Sequence, residues 1–184
     1  MKKNAPYFSL VFLASLIVLS ACQNKDKDPQ PPTRAELLAG NFNKKWKNTA
    51  ATLVLKNTSS PIIYTADLFN PADSLMTKPF LSCQKDNILV FFSDKKYLLD
   101  EGTIKCNASN PQTSEATWDF NSDKTILTIS VVDPISKKVL TTESTIKEIS
   151  TTTLKLENIT FDTYTYNGRI DTIKTTINYT LVAQ

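Results

Sequence analysis

The 184-residue chain contains no histidine. That removes the commonest general base and the commonest metal ligand at neutral pH, so Ser-His-Asp and Cys-His catalysis and zinc–histidine sites are excluded. Glycine is scarce, with three in the whole chain, while threonine is plentiful, as strands prefer. No apolar run is long enough to cross a membrane. The longest, Tyr7 to Leu19, is punctuated by Ser9 and Ser15 and falls short of the about 20 residues a spanning helix needs. Charge is nearly balanced: of the formal +3, Lys2 and Lys3 supply two units. No nucleic-acid partner is expected from so small a balance. The short basic cluster Lys44-Lys45-Trp46-Lys47 reads as a strand edge guarded by lysines.

What is present begins with an address. Lys2 and Lys3, the apolar run, and the small residues Ser20 and Ala21 follow the order of a secretory signal peptide. Leu19-Ser20-Ala21-Cys22 resembles the lipobox of bacterial lipoproteins. The resemblance implies cleavage before Cys22, acylation of its thiol and amine, and a membrane anchor of two lipid signals in the cell envelope. Residues 1–21 are thus read as signal peptide and 22–32 as lipidated cysteine and flexible tether. The polar and proline residues Gln23 to Pro32 carry too little apolar surface to order themselves. Residues 33–184 form one domain, a length that supports a single core.

The other two cysteines, Cys83 and Cys106, form an even pair in an exported domain and are expected to make a disulfide. A catalytic thiol would need an activating base, for which no histidine is available. Two cysteines so far apart make a poor zinc site; no metal or cofactor is expected.

Thr33-Arg34-Ala35-Glu36 has the form of a capping box, and Gly40 that of a helix stop, so a short helix opens the domain. A strand is predicted from Lys45 to Lys56, then an irregular connection from Ile62 to Cys83 interrupted by Pro71 and Pro79. Further strands follow: Asn87 to Phe92, Lys96 to Asp100, the hairpin of Ala116-x-Trp118-x-Phe120 with Leu127-x-Ile129-x-Val131, and Lys138 to Ile149. The next runs from Thr153 to Tyr166. There Leu154 and Leu156 have one parity while Ile159 and Phe161 have the other, which predicts a bulge near Glu157-Asn158. Asn167-Gly168 marks a two-residue hairpin turn before the last strand. There is no internal repeat. Sequential hairpins build an antiparallel meander, and about eight strands close into an all-β, up-and-down barrel. A barrel of that size is filled by side chains or holds one small ligand.

Leu37-Leu38-x-Gly40 followed by Lys45-Trp46-Lys47, then Cys83-x-x-Asp86-Asn87, Gly102 with Cys106, and Trp118-Asp119 are similar, in order and spacing, to the lipocalin-like lipoproteins of the Bacteroides group. The chain departs from lipocalins proper, which place Gly-x-Trp at the first strand; here Gly40-Asn41-Phe42 precedes Trp46. In such proteins an early tryptophan closes the barrel end, so Trp46 is expected in the core.

Asp119-x-Asn121-x-Asp123 opens like a calcium loop, but Lys124 and Ser130 stand where glycine and glutamate are required, so it is read as a hairpin turn. Asp73-Ser74-Leu75 and Asp171-Thr172-Ile173 resemble the O-glycosylation motif of the same bacterial group. Tyr164 and Tyr166 share a face beside the Asn167 turn and are the candidate ligand contacts at the barrel rim. The expected function is non-enzymatic binding of a small apolar or glycan-like ligand. The alternatives are an adaptor docking onto another envelope protein through the Ile62–Cys83 connection and, behind it, a hydrolase using two carboxylates from distant strands.

Overall fold

The computed structural model describes residues 30–60, 63–70, 82–133, 136–166 and 168–184. The segments expected to be signal peptide and tether, up to residue 29 and with Cys22 among them, and Asp73-Ser74-Leu75 lie outside the described residues. Within the unit Pro32–Gln184, helix α1 (Arg34–Ala39) starts at the expected capping box. The Thr33 side chain accepts from the Glu36 amide, and the Glu36 carboxylate accepts from the Thr33 amide. It ends at Gly40, whose φ of +63° lets its N–H reach the Glu36 carbonyl.

The strands are β1 (Asn43–Asn57), β2 (Ile63–Asp67), β3 (Ile88–Phe92), β4 (Lys96–Asp100), β5 (Thr113–Phe120), β6 (Ile126–Val132), β7 (Val139–Ile149), β8 (Thr153–Tyr166) and β9 (Arg169–Ala183), with a short helix α2 (Ser82–Lys85) before β3. Every pairing is antiparallel. β3 to β9 follow one another in a meander, and β1 joins β3 on one side and β9 on the other. The expected eight-stranded up-and-down barrel is thus closed, with β2 as an added ninth strand. With so few glycines, three hairpin turns place lysines, Lys95, Lys124 and Lys137, at positive φ.

β1 organises the molecule. Its one edge pairs with β9 from Trp46 to Asn57, while its other edge is shared by β3 (Asn43–Lys47) and β2 (Thr52–Lys56). The register slips between Asn48 and Ala50. This bulge changes the inward parity from Trp46 and Asn48 to Ala51 and Leu53, all of them buried, so β1 keeps facing one concave surface along its length.

Three sequence expectations need correction. Lys44 to Lys47 do not guard an edge: all four pair with β3, Trp46 and Lys47 pair with β9 as well, and the Lys45 carbonyl accepts from the Gln184 amide. The Ile62–Cys83 connection contains β2 and ends in α2; its residues 71–81 lie outside the described ones. No bulge occurs at Glu157-Asn158: β8 pairs with β9 without a slip from Thr153 to Tyr166. The extra residue lies across the sheet in β7, between Ile146 and Glu148. The parity change in β8 has another cause. β7 and β8 pair only through Thr145–Ile149 and Leu154–Glu157. Beyond Glu157 β8 leaves the barrel on an arm with β9, β1 and β2, whose outer face leaves Ile159 and Phe161 exposed.

One barrel end is plugged. There the α1 residues Leu38 and Ala39 join Trp46, Phe91, Trp118 and Leu127 in the main core. Burying side chains of this size stabilises by about 1.5–3 kcal/mol each. Trp46 Nε1 donates to the Leu38 carbonyl (2.8 Å), Trp118 Nε1 to that of Phe92 (3.0 Å), and Arg34 to that of Lys124 (2.6 Å). The Lys44 ammonium bonds the carbonyls of Leu37 and Thr151 and lies 4.4 Å over the Trp46 ring. Its burial lowers its pKa. Trp46 is core, as expected.

Candidate functional site

At the other end the core stops short of the mouth and leaves a cavity of about 380 Å³, within the range of about 300–1,000 Å³ usual for small-molecule sites. Its wall has two parts. The floor is apolar: Leu89, Leu99, Ile129, Leu156, Tyr179 and Leu181, each part of the main core or packed against it. The polar part is a collar of uncharged side chains: Asn48, Gln84, Asn87, Thr142, Ser144 and Asn158. Among the described residues, no carboxylate or ammonium lines the cavity.

The collar follows from strand register. Asn48 has the inward parity of Trp46, and Asn158 that of Leu154 and Leu156. Lys47 pairs with Ile88, so Asn87, one residue back, stands opposite Asn48. The Oδ1 atoms of Asn48 and Asn87 are buried and have no hydrogen-bond partner. A buried acceptor left in that state costs about 1–3 kcal/mol. Across the cavity, Ser144 Oγ donates to Asn158 Oδ1 (3.0 Å) and Asn158 Nδ2 to the Glu143 carbonyl (3.2 Å). These bonds tie β7 to β8 just beyond their last pair, Thr145 with Glu157. Exposed apolar residues lie on the same strands: Val131 and Val132 at the end of β6, Val139 and Leu140 at the start of β7, and Ile159 and Phe161 on β8.

The mouth is held by the residues of the loose motif. Cys83 and Cys106 form the expected disulfide, which ties α2 to the connection between β4 and β5. Asp86 Oδ2 accepts from the amides of Thr103 (2.8 Å) and Ile104 (2.9 Å). Gly102, at φ +68°, comes so close that a Cβ there would lie 2.5 Å from the Asp86 carbonyl oxygen. Disulfide, carboxylate clamp and glycine together fix the backbone that presents Gln84 and Asn87 to the cavity.

Tyr164 is elsewhere. It lies six residues beyond Asn158, about 20 Å along the strand, and its hydroxyl accepts from Asn57 Nδ2 at 3.0 Å. Tyr166 pairs with Arg169 across the two-residue turn, and its side chain lies outside the described residues, as does Asn167. Asp171, opposite Tyr164, and Thr172 lie on β9 of the same arm. Asp119 bonds Lys95 at 2.9 Å, and that hydrogen bond holds its carboxyl below the usual range. Asn121 Oδ1 accepts from the amides of Thr125 and Ile126, so the calcium-like stretch is a hairpin turn.

Sequence reading missed the collar. The signal was present as polar residues at inward parity, but the supposed bulge moved Asn158 to the wrong face. Burial raises the phenol pKa of Tyr179 on the floor, and that of Tyr97 in the core more strongly. No protein-family model, curated protein or solved structure matches the chain.

Proposed function

We propose that the protein is a lipid-anchored, non-enzymatic binding module of the lipocalin-like class, held to the cell envelope through Cys22, that takes a small ligand into the barrel mouth. The observation that carries this reading is the asymmetry of the barrel: plugged by α1 and Trp46 at one end, and open at the other onto a cavity of about 380 Å³. A solid barrel would have left only its outer surface for function. The Leu99→Trp variant tests it, because the larger side chain fills the cavity floor. The parent should enhance the fluorescence of a neutral apolar dye such as Nile red, and the variant should not. Equal enhancement, with near-ultraviolet circular dichroism showing both proteins folded, would place the dye elsewhere and count against the reading.

The adaptor reading has one observation in its favour, the exposed apolar residues of the β6–β7 hairpin and of β8, since exposed apolar surface marks docking sites. Under it, Val139→Lys with Phe161→Lys would abolish co-purification of an envelope protein and leave dye binding intact.

A further inference from the structure

The apolar and polar parts of the cavity wall specify more than its size. A ligand that fills it must place an apolar body against Leu89, Leu99, Ile129 and Leu156, and its polar part among the collar amides and hydroxyls. Placing a charged group there would strip its water without supplying an opposite charge. The cations nearest the mouth are occupied: Lys85 Nζ bonds the Phe69 carbonyl at 2.7 Å, and Lys105 Nζ bonds that of Ala108 at 3.1 Å. The acids at that end, Asp86, Asp100 and Glu101, disfavour an anion further. Asp100 Oδ1 and Asp86 Oδ2 accept from backbone amides, and neither these acids nor Glu101 lines the cavity, so none of them meets a cation placed inside it.

The collar does carry a specific polar demand. Asn48 and Asn87 flank the last β1–β3 pair, Lys47 with Ile88, and the carbonyl oxygens of both are buried and unpartnered. Asn48 is itself only 8 % exposed. An asparagine amide turns easily about its last torsion, so each oxygen can swing to meet a donor at the collar. Two adjacent acceptors suit a head bearing two adjacent donors.

Resting on the binding-cavity reading, we infer that the ligand is an uncharged amphiphile: an apolar chain or ring system against the apolar wall, with a hydroxyl-bearing head, a vicinal diol best of all, held between Asn48 and Asn87. A monoacylglycerol has this chemistry; a fatty-acid anion and an alkylamine do not.

Calorimetric titration of the full chain in lipid nanodiscs, with empty nanodiscs as the blank, tests this with four probes of one chain length: 1,2-octanediol, 1-octanol, octanoate and octylammonium. The diol and the alcohol are expected to bind at least tenfold more tightly than either ion, with the diol ahead. Asn48→Leu and Asn87→Leu should each weaken the diol by about two- to tenfold, the loss of one net hydrogen bond. Asn87→Asp, which keeps shape and adds charge, should raise octylammonium relative to the alcohol, an effect that mere loosening of the fold would not produce. Octanoate or octylammonium binding as tightly as the alcohol, and blocked by Leu99→Trp, would overturn the ligand class while leaving the cavity reading in place. If no probe binds above the blank, the cavity reading falls and the inference with it.

Discussion

Removing the Cys83–Cys106 bridge should cost a calculable amount. The cysteines are 23 residues apart in sequence, and closing a loop of that length lowers the entropy of the unfolded chain by an amount worth about 3 kcal/mol at 25 °C. In a domain of this size the melting temperature should fall by about 6–12 °C, and the urea midpoint by about 1–2 M. The Cys83→Ala, Cys106→Ala variant, compared with the parent by urea denaturation, measures the effect. Amide exchange should show where it falls. Residues 82–112 should exchange faster, because α2 and the β4–β5 connection lose their covalent tie, while α1 and Trp46 at the plugged end should be unchanged. A midpoint shift worth less than about 1 kcal/mol would refute the loop-closure reasoning. It would mean that the Asp86 clamp and the strand pairing already restrict the loop.

Gly102→Ala should destabilise by about 2 kcal/mol or more, since its φ is positive and the new Cβ would lie 2.5 Å from the Asp86 carbonyl oxygen; an unchanged melting temperature would contradict this close approach. Alkaline stability should follow Tyr97, whose phenol pKa burial raises above its ordinary value of 10. The contribution is complete below pH 10 and is lost as the pH rises further, at about 1.4 kcal/mol per pH unit, because only the unfolded chain then gives up the proton. Tyr97→Phe should flatten that decline, and ionisation of Tyr97 at pH 10 in the folded protein would contradict it. Cys22→Ser should leave the protein unacylated and free of membranes on fractionation; persistent membrane anchoring would refute the lipid anchor.

The strands were legible because their periodicity is local. Trp118 and Phe120 against Leu127 and Ile129, and the turns around Lys95, Lys124 and Gly168, announce hairpins that tertiary contacts only confirm. What escaped was set by distant partners. β2 forms because β3 ends at Lys47 of β1 and leaves the rest of that edge unpaired, which nothing in Ile63 to Asp67 reveals. The exposed Ile159 and Phe161 resemble a bulge in sequence because the period shows a change of face without saying whether the strand or its surroundings changed. The true bulges, at Thr49 in β1 and Lys147 in β7, fall among polar residues where periodicity is silent. The collar depended on both errors, since Asn48 and Asn158 are recognisable as inward only once the registers are known. The Cys83, Asp86, Gly102 and Cys106 spacing was readable as a pattern, but its meaning, a braced cavity mouth, required the fold.

Everything proposed for the barrel depends on its open end holding a small molecule. The most direct test is the native mass spectrum of the protein purified from an oxidising periplasm that acylates Cys22. A reproducible added mass is expected that is lost on denaturation, is absent from the Leu99→Trp variant, and belongs to an uncharged amphiphile. A bare acylated polypeptide, in a preparation offered the envelope lipids of its own host and neutral amphiphiles such as 1,2-octanediol, would contradict this expectation.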